Sequence, residues 1–173
     1  MNKMILTPKK LTAESFSQFG QVISCENKDY EIINDGYAKK YPDLAEIDTQ
    51  EDSGKTALNI FIAKKRLFPL KIEMLEKHPF FSQAFIPRDD TPFLVVVAPA
   101  SARPRINDIE VFISSGEQGI NYARGVWHFP LISIKDDANF VVIDRKYTAE
   151  SDKLEQCIVY PIKDTDISIE FEL

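Results

Sequence analysis

Gly116-Glu117-Gln118-Gly119-Ile120-Asn121-Tyr122-Ala123-Arg124-Gly125-Val126-Trp127-His128-Phe129-Pro130 lies between two short apolar runs, residues 110–113 and 131–134. Three glycines, an acid, two amides, an arginine, the single tryptophan and one of two histidines fall within it. A polar segment punctuated by glycine between two strands is a common place for binding and catalytic groups on a rigid β scaffold. The stretch is expected to form strand, turn and strand, with its polar groups on the wall of a small-molecule site.

Outward from it, the chain keeps the same rhythm. The run Phe93-Leu94-Val95-Val96-Val97-Ala98 is continuously apolar and rich in β-branched residues, which predicts a strand buried on both faces. Further strands are expected at residues 5–6, 22–23, 57–63, 70–74, 84–87, 140–143, 158–160 and 167–171, separated by turns rich in Gly, Pro, Asp and Asn. Asp136-Asp137 reads as a hairpin-type turn, and Asp144-Arg145 as the stop of the strand before it. One helix is clear: Thr12 is a natural N-cap, Phe16 and Phe19 share a face, and Gly20 suits the C′ stop. No βαβ alternation, repeat or low-complexity segment is present. The chain is therefore expected to be mainly β, an antiparallel β-sandwich or barrel with one or two short helices, in a single domain over residues 1–173.

Composition narrows the partners. A formal charge of −6 and a pI near 5.0 argue against broad contact with nucleic acid or an anionic membrane. No run approaches the ~20 apolar residues of a membrane span, and the first residues lack the apolar core of a signal peptide. Cys25 and Cys157 match no metal or redox spacing, so free thiols and a cytoplasmic location are expected.

With only two histidines, candidates for proton transfer are few. His78 stands before a proline ahead of one strand, and His128 ends the focal stretch. Glu76 and His78 are two apart, so on a strand they share a face. In a closed barrel, residues of distant hairpins converge at the mouth.

The spacing Glu76-x-His78-x4-Gln83, followed much later by Gly125-x-x-His128, resembles the two short motifs of the cupin superfamily. That resemblance implies a metal-binding set, here Glu76, His78, Gln83 and His128. However, Glu76 stands for a histidine, Gln83 for the glutamate, and Ala123 for the usual proline. A site without required cofactor is favoured, with a divalent ion (Ni, Mn or Zn) as the alternative. A closer resemblance is carried by His78-Pro79-Phe80-Phe81-Ser82-Gln83-Ala84-Phe85-Ile86-Pro87, by Phe93 to Ala98, and by Gly116 to Leu131. Phe19-Gly20-x-Val22-Ile23 and Phe140 to Arg145 extend it. These blocks resemble the ureidoglycolate lyase family, whose fold is cupin-like.

The resemblance implies a homodimeric enzyme that cleaves (S)-ureidoglycolate to glyoxylate and urea during allantoin degradation, a step of purine metabolism. One pattern in that family has histidine at the positions of Ala123 and Phe129, so no role there carries over. The chemistry needs a base for the hydroxyl proton and an acid for the departing urea nitrogen. His128 is the first choice as base, with His78 or Glu117 as acid, and the two histidines are interchangeable. Arg124 is the candidate for the substrate carboxylate. Asn34, Gln83 and Gln118 could read the ureido group, and Trp127 could wall the pocket. The competing readings are a non-catalytic cupin that binds a small acid and another cupin enzyme, such as a sugar isomerase.

Overall fold

A computed structural model describes residues 2–148, 155–163 and 165–172. Two sheets face each other. One is seven-stranded and runs Ile158–Pro161, Met74–Lys77, Trp127–His128, Phe93–Ala98, Glu110–Ile113, Lys9–Lys10, with Ile132–Ser133 also paired to Phe93–Ala98. The other is five-stranded and runs Gly20–Ile23, Gly119–Tyr122, Gln83–Pro87, Ala138–Arg145, Thr56–Ala63. A third sheet, Asn2–Leu6, Thr165–Ile169 and Leu70–Lys71, and a separate hairpin, Glu31–Ile33 with Ala38–Lys40, complete it. Pairing is antiparallel, except where Asn2–Leu6 joins Thr165–Ile169 and Lys9–Lys10 joins Glu110–Ile113.

The apolar run Phe93–Ala98 explains the layering. Alternate side chains of a strand point to opposite faces. Phe93, Val95 and Val97 enter the core between the two large sheets, with Phe85, Ile120, Phe140 and Val142. Leu94, Val96 and Ala98 enter a second core, where Ile72, Leu75, Trp127, Ile167 and Ile169 lie. All six residues of the strand are buried, as the sequence predicts, because the strand has a packed layer on each side. At about 25 cal/mol per Å² of apolar surface, a strand covered on both faces is among the most stabilising elements of such a fold.

Three local expectations are corrected. The helix is Ala13–Phe16, capped by Thr12, which trades hydrogen bonds with Ser15. It ends at Ser17, and Gly20 is no C′ stop but the first residue of a strand. There a φ of +145° and the nearby carbonyl of Asn121 leave no room for a Cβ. Asp136-Asp137 closes no hairpin, since Ile132–Ser133 and Ala138–Arg145 lie in different sheets. Asp144 and Arg145 do not stop their strand but end it from within, paired to Ala57 and Thr56.

Candidate active site

Inward-facing positions of the sandwich are apolar along most of its depth and turn polar at one end. On the five-stranded sheet, Phe140, Val142 and Asp144 step along one face, Phe85 is followed two residues back by Gln83, and Ile120 two residues on by Tyr122. On the facing sheet, Trp127 belongs to the outer core, so the next residue, His128, points into the sandwich. His128 pairs in register with Glu76, and His78 follows directly after that strand.

The two imidazoles meet there. Their ring centroids are 5.1 Å apart, inclined by 50°. His128 stacks on Tyr122 at 4.3 Å and His78 on Phe81 at 4.5 Å, which fixes both ring planes. Nδ1 of His128 lies 3.0 Å from the carbonyl of Val126, and Nδ1 of His78 lies 3.2 Å from the carbonyl of Gln156. Carbonyls only accept, so both rings carry their proton on Nδ1 when neutral and keep Nε2 as a lone-pair atom. Nε2 of His128 is buried without a hydrogen-bond partner, 3.7 Å from Oε1 of Glu76. Oε2 of Glu76 accepts from the thiol of Cys157 at 3.7 Å.

Burial dominates the protonation of the cluster. It pushes His128 down to about 3, with help from the neighbouring His78 charge, against the opposing pull of the Val126 carbonyl. Burial also lowers His78, opposed by its hydrogen bonds to Gln156 and Gln83. Glu76 moves the other way, raised by burial and partly restored by Cys157. The Tyr122 phenol is raised far above its ordinary value by burial and stays neutral. The site therefore combines two neutral imidazoles with a carboxyl that burial raises above its ordinary range.

One ligand atom each from Glu76, His78 and His128 lies within 4.8 Å of the others. Two imidazoles and a carboxylate, one ring nitrogen lacking any partner, are a donor set that fits a divalent cation. Gln83 adjoins it but turns its NH2 toward Asp144, 3.3 Å away.

Other residues singled out in the sequence are placed elsewhere. Glu117 is exposed in the turn before Gly119–Tyr122, at the end away from the Tyr122–His128 stack, so it is no acid partner. Gln118 is tied into that turn, accepting from Ser115 N–H and donating to the Leu11 carbonyl. Arg124 is committed to Asp48 and Glu51 at 2.7 and 2.8 Å. Asn34 is exposed at the tip of the Glu31–Lys40 hairpin. Trp127 faces the outer core, where its indole N–H donates to the Ser101 carbonyl, and it does not wall the site. In return the structure adds Asp144, Gln156 and Cys157, and sets Tyr122 of the focal stretch against His128. Period-two alternation from Phe140 and from Ile120 points to Asp144 and Tyr122. Nothing in the sequence signals that the strand Ile158–Pro161 docks on Met74–Lys77 and brings Gln156 and Cys157 to the histidines.

A family model described as ureidoglycolate lyase matches residues 3–164. The ureidoglycolate lyase of Azotobacter vinelandii is 45% identical over 141 residues, covering 82% of this chain and 85% of that protein. The one from Pseudomonas paraeruginosa is 46% identical over 135 residues, covering 78% and 80%. The chain belongs to the ureidoglycolate lyase family. Among solved structures, RmlC of Streptococcus suis overlays with a TM-score of 0.46 at 13% identity, covering 86% of this chain and 76% of that one. For this member of the ureidoglycolate lyase family, the two positions where one pattern carries histidine lie off the cluster. Ala123 is exposed, and Phe129 packs in the outer core. Their identity leaves the His78–His128 pair intact.

Proposed function

We propose that this protein is a ureidoglycolate lyase, cleaving (S)-ureidoglycolate to glyoxylate and urea in allantoin degradation. The observation that carries this reading is the meeting of His78, His128 and Glu76 at one end of the sandwich interior. Family membership supplies the substrate.

The reacting carbon bears a hydroxyl, a carboxylate and the ureido nitrogen. Cleavage removes the hydroxyl proton as C=O forms, breaks the C–N bond, and delivers a proton to that nitrogen as urea leaves. His78, whose Nδ1 is held by the Gln156 carbonyl, takes the hydroxyl proton on its lone-pair nitrogen. Glu76, its carboxyl raised by burial and its Oε1 3.7 Å from Nε2 of His128, is the acid, and the His128 imidazole relays its proton to the departing nitrogen. This gives Glu76 the role that the sequence suggested for Glu117, and exchanges the two histidines. Gln83 reads the ureido N–H groups. A divalent cation, if bound, would be held by Glu76, His78 and His128 and would polarise the hydroxyl and carboxylate oxygens.

The protein acts as a homodimer in the cytoplasm. Support for pairing comes from the edge strand Thr56–Ala63, where Leu58, Ile60 and Ile62 are exposed on one face at 69, 47 and 64%. A long apolar edge strand is a liability in a lone chain and a ready surface for a second copy. Cys25 and Cys157 as free thiols suit a reducing compartment.

The test is incubation with (S)-ureidoglycolate and separate assays of glyoxylate, urea and ammonia, against an enzyme-free control for spontaneous decay. Equimolar glyoxylate and urea above the control is the expected result. Ammonia in place of urea means hydrolysis, and no excess over the control removes the assignment.

A further inference from the structure

Behind Gln83 lie two polar residues, Asp144 and Asn59, that take no part in the mechanism above. Nε2 of Gln83 donates to Oδ2 of Asp144 at 3.3 Å, and Nδ2 of Asn59 donates to Oδ1 of Asp144 at 2.9 Å. Gln83 and Asp144 are both buried, at 9 and 7% exposure. An ionised carboxylate accepts and never donates, so an amide touching it must turn its NH2 that way. Each oxygen of Asp144 thus takes one amide NH2. The amide oxygen of Gln83 is left on the side away from Asp144.

We infer that Asp144, backed by Asn59, is a positioning residue that locks Gln83 with its carbonyl toward the substrate and so makes the site select ureido acids. This inference rests on the function proposed above and deepens it. A fixed acceptor in a buried site favours a ligand that brings N–H groups, and a ligand without them leaves the acceptor unpaired. The ureido half of ureidoglycolate carries such donors, whereas glyoxylate carries none. With asparagine at position 144, the facing group offers either an oxygen or an NH2. Gln83 can then rotate its amide, presenting donors to donors.

The experiment compares two ligands by calorimetry. Ureidoacetate keeps the ureido and carboxylate groups but lacks the hydroxyl, so it cannot be cleaved; glyoxylate lacks the ureido group. Asp144→Asn is expected to weaken ureidoacetate about tenfold while glyoxylate stays within about twofold, the loss of one well-formed hydrogen bond. Retained glyoxylate binding also shows that the variant is folded. In a Gln83→Met background, Asp144→Asn should bring no further loss, because its only route to the ligand is gone. Unchanged ureidoacetate affinity in Asp144→Asn overturns the inference, as does equal weakening of both ligands or additivity with Gln83→Met. Failure of the wild-type protein to bind ureidoacetate overturns the functional reading itself, and the relay falls with it.

Discussion

His128 shows what burial does to a single side chain. Its ring is 2% exposed, and its pKa is pushed to about 3 from an ordinary 6.5. Between those values the unfolded chain takes up a proton that the folded one refuses. Stability from this residue is therefore fully present above about pH 6.5 and is lost as the pH falls toward about 3. His78, also lowered by burial, adds the same sign. Glu76 and Asp144, raised by burial, act oppositely: the folded state keeps protons that the unfolded state releases, so each costs stability as pH rises above its ordinary 4.5 or 3.8. On lowering the pH from about 7 to about 5, His128 works to lower the urea-denaturation midpoint, so His128→Phe should make that midpoint less sensitive to acid than the wild type's. A variant midpoint as steep in pH as the wild type would show that His128 is not held neutral by its surroundings.

Among the elements, the strands Gly20–Ile23 and Gly119–Tyr122 run so close that the backbone leaves no space at residue 20. Gly20→Ala adds a Cβ against the Asn121 carbonyl at a φ that L residues rarely adopt. It should destabilise the fold by roughly 3 kcal/mol or more, read as a drop in thermal midpoint. An alanine variant as stable as the wild type would mean that the two strands separate easily. What could be read in advance follows from the same physics. Phe93–Ala98 announces itself by a β-branched apolar run, residues 57–63 by a partly alternating pattern, and Thr12 by its capping chemistry. Gly20 looks like a helix stop because glycine marks any tight backbone, and only three-dimensional crossing tells one use from another. His78, His128 and Glu76 are legible through rarity and spacing. Trp127 is misjudged by one position, since adjacent residues of a strand face opposite layers. Cys157 reaches the site through pairing far along the chain, which local pattern does not encode.

At the scale of the molecule, the two large sheets close one end with a polar cluster and leave the strand Thr56–Ala63 at an open edge. With Leu58, Ile60 and Ile62 uncovered, the protein should sediment as a dimer at micromolar concentration. Ile60→Glu should convert it to a folded monomer by placing a charge in the contact. A wild-type monomer under the same conditions would refute pairing through this face. The claim at the centre is that two imidazoles act together on one substrate carbon. Its most direct test is the steady-state rate on (S)-ureidoglycolate of His78→Ala, His128→Ala and the double variant, with circular dichroism to confirm the fold. Each single substitution should lower kcat by on the order of 10²-fold or more, and the double variant should fall little further, because the groups work as a unit. A folded His78→Ala or His128→Ala that turns over substrate near the wild-type rate would contradict the account.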